Sequence, residues 1–410
     1  MYKSKVFLIL LAIIVTLSLS ACSLDGNTAK EDEANNYHIN PQAEITKATL
    51  DLAVDLFKES YEGNNNILLS PTSIMMALSM AANGADSETL SQMEEVLGRG
   101  LTIDQINETI SNYLRKIAED EDINIANSIW INDINNIKIK DEFLDISSKY
   151  YNAKIYKEVF NQKIADSINS WVNEKTNGMI DKLIDNISPD SIMYLINAIA
   201  FEAEWQEEYS SQQIFKDNFT NYQGNKTEVE MMVSEEEKYL ADGKAVGFIK
   251  PYKNDKFSFV AILPNEEIGI EKYINGMTGE SLYNLINSYK EAKVDAYIPK
   301  FSYSYGVDLN DVLINLGIVD AFDAYKADFS KMAELDTENI YINKVIHKTF
   351  IEVDEKGTKA AAATGVEVNV TSAIVDEERY TVKLDRPFIY VIMDNETNIP
   401  IFIGAVLDID

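Results

Sequence analysis

The sequence predicts an α+β domain built on a large, mostly antiparallel sheet. Helix-period patterns fill the first third of the chain, strand patterns dominate the rest, and the two do not alternate regularly. An apolar content of 46% over 410 residues is enough for a sizeable core. Eight prolines and seventeen glycines are too few for a linker-rich chain, and no repeat recurs at solenoid spacing.

Composition also narrows function. The net charge of −31 argues against nucleic acid as a partner, because phosphate binding needs clustered Lys and Arg. The same charge repels the folded body from an anionic membrane surface and favours solubility. Two histidines, His38 and His347, and one cysteine, Cys22, cannot assemble a Cys/His metal site; carboxylate-only sites stay open but leave no readable spacing, and no metal or cofactor is expected.

The chain opens with Lys3 and Lys5 before an apolar run from Val6 to Leu19, the layout of an export signal. The run is short for a membrane-spanning helix, which needs about 20 apolar residues. It ends in Leu19-Ser20-Ala21-Cys22, which resembles a bacterial lipobox with Cys22 as the lipidated first mature residue. Residues 1–21 are thus expected to be a lipoprotein signal peptide. Their removal leaves 34 basic against 67 acidic residues, a charge of about −33. Residues 22–42 are polar and read as a disordered tether, with His38 solvated in it. The expected location is the extracellular face of a bacterial membrane, held by the lipid. With one cysteine no internal disulfide is possible, and stability must come from the core.

The domain spans residues 43–410. Ala48, Leu50, Ala53, Val54, Leu56 and Phe57 recur at helical spacing. A short strand, Asn66 to Ser70, stops at Pro71. Ser70 or Thr72 then caps a helix from Ser73 to Asn83. Further helices are predicted over Ser87–Leu97 and Asp104–Ala118. Strands are predicted over Ile123–Ile131, Met193–Phe201, Val246–Pro251, Phe257–Leu263, Val294–Ile298 and Phe388–Met393.

The segment after Phe350 carries the function. Ile351 to Asp354 alternates as a strand, and Glu355-Lys356-Gly357 follows. From Thr358 to Val370 every even residue is small or apolar: Thr358, Ala360, Ala362, Thr364, Val366, Val368 and Val370. The odd residues hold the charged and amide side chains, Lys359, Glu367 and Asn369, beside Ala361, Ala363 and Gly365. That is a strand with one buried face. Four consecutive alanines are nonetheless poor strand material. The segment suits two states, an exposed loop and a strand whose small side chains slip between existing strands. A static Ala-rich strand or linker also fits these residues taken alone.

These residues resemble the hinge and reactive-centre loop of the serpins. The resemblance extends in order from about residue 43 to 410. It takes in Asn66 to Ser73, Ser170-Trp171-Val172-Asn173-Glu174-Lys175-Thr176-Asn177-Gly178, Asn197 to Trp205, Asp320-Ala321-Phe322, Ala327 to Ser330, and Val382 to Ile389. It implies the serpin fold, with N-terminal helices packed on the central sheet, further smaller sheets and an exposed reactive-centre loop over about 356–381. It implies a hinge of Glu355, Gly357, Thr358, Ala360, Ala361, Ala362, Ala363 and Thr364, with Gly357 permitting the bend. It also implies residues controlling sheet opening: a buried polar network of Ser70, Ser73, Asn197 and His347, with Trp205 packed in the core at the opening end of its strand.

The activity implied is suicide inhibition of extracellular serine proteases rather than enzymatic catalysis. The protease forms an acyl-enzyme with the loop, and the cut loop inserts into the sheet and traps it. Counting along the hinge places the reactive bond at Thr371–Ser372. Val370–Thr371 and Ala373–Ile374 stay open because the loop is a few residues longer than is typical, and Arg379–Tyr380 ranks lower. A Val-Thr-Ser-Ala bait suits an elastase-like or subtilisin-like enzyme. Glu202, Ala203 and Glu204 replace the family's basic and glycine residues before Trp205, and Lys359 replaces an acidic one. Arg115-Lys116 sits on a helix that serpins can use for polyanions. Glu119 to Asp122 follows at once, so no heparin-like cofactor is expected, and the chain is read as a monomer. Two rivals are a non-inhibitory serpin acting as a binding or chaperone protein, and a lipoprotein hydrolase. The hydrolase would need His347 in its triad and has no Gly-x-Ser-x-Gly elbow near a strand end.

Overall fold

The computed structural model describes residues 41–117, 120–134, 137–189, 191–334, 339–358 and 378–409. The signal peptide, Cys22, the tether up to residue 40 and His38 lie outside the described residues. So do Ala360, Ala361, Ala362, Ala363, Thr364, Thr371 and Ser372.

The compact unit that holds the described residues runs from Asn40 to Asp410. Its first helix, Pro41–Glu59, begins at a proline inside the stretch read as tether. Proline suits a first helical turn, because its missing N–H would have no partner there. The helix Pro71–Ala82 repeats this start, with Ser70 as the N-cap accepting from the Ser73 N–H. Every residue of this second helix is buried, as expected for a helix apolar on all sides. Helices Ser87–Gly98 and Ile103–Ile117 follow within a residue or two of expectation.

The largest sheet has nine strands. It includes Ile67–Leu69, Pro400–Val406, Phe388–Asp394, Phe257–Pro264, Ala245–Pro251, Lys226–Ala241 and Lys290–Pro299 in spatial order. All these neighbours are antiparallel; Arg379–Lys383 joins the edge in parallel with Lys290–Pro299. This last strand takes in the final residues of the loop expected over 356–381. Arg379 is fixed there by ion pairs to Asp295 and Glu235.

Two smaller sheets frame the region of interest. One orders Lys154–Glu158, Ile123–Asn132 and Met193–Phe201. The other orders Phe301–Asp308, Ile346–Val353, Gly357–Thr358 and Ala203–Glu204. Met193–Phe201 is buried on both faces by strict alternation. Met193, Ile199 and Phe201 join the main core, while Tyr194, Ile196 and Ala198 join a second core beneath the helix Gln162–Lys175.

Candidate functional site: a slot between two parallel walls

Met193–Phe201 continues past Glu202 into Ala203–Glu204, which pairs antiparallel with Gly357–Thr358. Thr358 in turn pairs antiparallel with Val353. The strands Met193–Phe201 and Ile346–Val353 therefore run in the same direction. Among the described residues they are bridged only through Gly357–Thr358. The space between them has the geometry for one strand antiparallel to both, and Gly357–Thr358 is its first step.

The entrance is tightly specified. Gly357 is not in the left-handed region, so it is not needed for unusual φ. A Cβ there would lie 2.0 Å from the Ala203 carbonyl oxygen, and close backbone approach is what requires glycine. Thr358 is buried, and its hydroxyl lies 2.6 Å from the Tyr252 hydroxyl. Its burial fits the even-residue face read from the sequence. Trp205 is buried and stacks on Tyr252 at 4.6 Å, and its indole N–H donates to the Asp354 carbonyl at 2.9 Å. The backbone N–H of Trp205 donates to Lys356 and that of Tyr209 to Glu355. Glu355 pairs with Lys300 at 2.7 Å, which holds its carboxyl below the usual range.

Further along, the Ser73 hydroxyl donates to Asn197 Oδ1, and Asn197 Nδ2 donates to Asn127 Oδ1 at 2.5 Å. Asn127 continues to the Tyr151 carbonyl at 2.9 Å. The Ser70 N–H donates to His347 Nε2 at 3.0 Å, and Ser70 Oγ accepts from the Ser73 N–H. Thr349 donates to the Leu68 carbonyl at 2.8 Å. Four of the expected residues, Ser70, Ser73, Asn197 and His347, are thus linked beneath the slot. Trp205 stands apart from them, at the entrance. Asn127, Thr349, Tyr252 and Tyr209 were not anticipated. An amide amid the apolar residues of Ile123–Ile131 was the available signal for Asn127, since a buried amide demands partners.

His347 accepts a hydrogen bond at Nε2, so its ring is neutral, and burial pushes its pKa down to about 4. An unfolded histidine titrates near 6.5. Between those values the unfolded chain takes up a proton that the folded chain refuses. Stability is therefore complete above pH ~6.5 and falls as the pH drops toward about 4, by roughly 3 kcal/mol in full. At pH 5 the wild type should lose roughly 2 kcal/mol more, relative to pH 7, than His347→Gln. Calorimetry of both proteins checks this; equal acid losses would contradict it.

Among the described residues no three His, Cys, Asp or Glu side chains are grouped to hold a metal, and no helix is long and apolar enough to cross a membrane. His347 hydrogen-bonds a backbone N–H rather than a serine hydroxyl, which does not suit it to a hydrolase triad.

Two parallel strands of neighbouring sheets, bridged at one end by Gly357–Thr358, leave the geometry for one more strand between them. The chain belongs to the serpins: residues 47–409 match the family model "Serpin (serine protease inhibitor)". It is 31% identical to human Serpin B11 over 88% of this chain and 98% of that protein. It superposes on the crystal structure of the thermophilic serpin tengpin in the native state with a TM-score of 0.84. Identity there is 46%, covering 89% of this chain and 94% of tengpin. Human thyroxine-binding globulin complexed with its ligand aligns with a TM-score of 0.79 at 25% identity, over 90% of this chain and 99% of the globulin. The family assignment makes this a protein of protease-inhibitor type rather than a protease.

Proposed function

We propose that the chain is a suicide-substrate inhibitor of extracellular serine proteases of elastase-like or subtilisin-like specificity. It acts as a monomer tethered to the outer face of a bacterial membrane through lipid on Cys22. The observation that carries the inhibitory reading is the register at the slot entrance. Gly357 and Thr358 pair with Glu204 and Ala203, and Thr358 with Val353. Continued in that register after cleavage, Ala360 falls opposite Phe201 and Ile351, and Ala362 opposite Ile199 and Thr349. Thr364 falls opposite Asn197 and His347. The polar Thr364 thus meets the polar network, Ala360 meets apolar residues on both sides, and Ala362 meets Ile199 on one side and the buried Thr349, whose hydroxyl is satisfied by the Leu68 carbonyl, on the other. Ile351 and Thr349 are buried, as is Ile199, so the inserted even face would be buried too.

The protease nucleophile would attack the carbonyl of Thr371, leaving an ester to the enzyme and a new amine at Ser372. Insertion then carries the ester away from the loop's original position before water releases it. No polyanion cofactor is needed in this reading, and Lys116 is already paired with Glu396.

Incubation with a subtilisin-like and an elastase-like enzyme, read by mass spectrometry, tests the reading. A covalent adduct ending at Thr371, stable in SDS, is expected. Thyroxine-binding globulin shares this fold and has a ligand-binding role, which favours a non-inhibitory serpin as the second reading. Clean cleavage by every protease with no adduct would select it.

A further inference from the structure

Lys250 and Glu236 form an ion pair of 2.8 Å with side chains 3% and 8% exposed. Charges this deeply buried cost several kcal/mol to desolvate and seldom stabilise a fold more than apolar residues of the same volume. Their placement therefore calls for another explanation. The Lys250 ammonium lies 4.6 Å from the Tyr209 ring centre and 5.3 Å from that of Trp205. Glu236 accepts from the Ser234 hydroxyl at 2.6 Å, and Ser234 meets the Tyr209 hydroxyl at 3.2 Å. Both rings are thus fixed from beneath by one charge cluster. They belong to the two residues whose backbone N–H groups hold the carbonyls of Lys356 and Glu355, while the Trp205 indole holds Asp354.

We propose that the Lys250–Glu236 pair is a positioning element for the hinge. It locks Trp205 and Tyr209 by cation–π attraction and the Ser234 bridge. Those residues grip the 354–356 turn, and the pair thereby sets how readily the chain beyond Thr358 advances into the slot. Apolar residues at 236 and 250 would fill the space yet remove the cation–π contacts to both rings and the bridge through Ser234 to Tyr209. The grip is a property of the described residues, while its effect on trapping rests on the inhibitory reading above.

The test uses the double variant Lys250→Met/Glu236→Met, which leaves no uncompensated charge, and the mild variant Ser234→Ala. Amide hydrogen exchange is followed at Trp205, Tyr209 and residues 354–358, with thermal unfolding in parallel. In the double variant, exchange at these amides should quicken by about tenfold while distant core strands exchange as before. Ser234→Ala should quicken the Tyr209 amide by a smaller factor. Unchanged exchange in a folded double variant overturns the proposal. Should the double variant fail to fold, an unchanged Tyr209 amide in Ser234→Ala overturns it instead. Because exchange needs no protease, the proposal stands or falls separately from covalent trapping. Faster exchange in a chain that never forms an adduct would sink the inhibitor reading alone.

Discussion

Thr358→Arg is expected to convert the inhibitor into a plain substrate. Thr358 is the first buried residue of the inserting face, enclosed by Ala203, Val353 and the Tyr252 hydroxyl. A guanidinium has no carboxylate to meet in that enclosure, and burying it unpaired costs several kcal/mol. Each ~1.4 kcal/mol added to the insertion barrier slows insertion about tenfold, while hydrolysis of the acyl-enzyme keeps its own rate. The variant should be cut at the same bond as the wild type and release active protease. Its stoichiometry of inhibition should rise by at least about tenfold. Thr358→Ser, which keeps the hydroxyl and adds no bulk, should trap normally. Normal trapping by the arginine variant would show that insertion does not need residue 358 to stay buried in the slot.

The second large effect is on stability. An uncut loop is anchored at both ends, by Gly357–Thr358 in the slot and by the strand Arg379–Lys383. Cleavage removes that restraint. On the proposed mechanism a strand of roughly 13 residues would then gain neighbours on both sides, with on the order of ten new backbone hydrogen bonds at about 0.5–1.5 kcal/mol each. The total, on the order of 10 kcal/mol, matches the whole stability of an ordinary domain, about 5–15 kcal/mol. At about 2.1 cal/mol/K of unfolding entropy per residue, the melting temperature should climb by roughly 10 °C or more.

Much of this was legible in the sequence because it depends on pattern. The strand Met193–Phe201 was read to the residue, since its apolar run is bounded and its burial is two-sided. Of the even-residue face read from side-chain parity, Thr358 is buried as expected, and the residues after it lie outside the described residues. What escaped was whatever depends on partners distant in sequence. The role of Asn127 is set by Asn197, which pairing of the two strands brings opposite it. Lys250 is a lone cation in an apolar strand, and only the fold shows Glu236 beneath it. Gly357 was expected to serve a bend, but the nearby Ala203 carbonyl that demands a glycine becomes visible only once the strands are paired. Trp205 was expected at the opening end of its strand, but its grip on the Asp354 carbonyl and its stacking on Tyr252 depend on partners distant in sequence.

The most direct test of the central claim, that residues 358–370 become a strand of the sheet, is calorimetry before and after nicking. A zinc metalloprotease is the suitable reagent, because it attacks with activated water and forms no acyl-enzyme. A single cut between Val370 and Ile374 should raise the melting temperature by roughly 10 °C or more. An unchanged or lower melting temperature in the nicked chain would contradict insertion, and with it the proposed mechanism of inhibition.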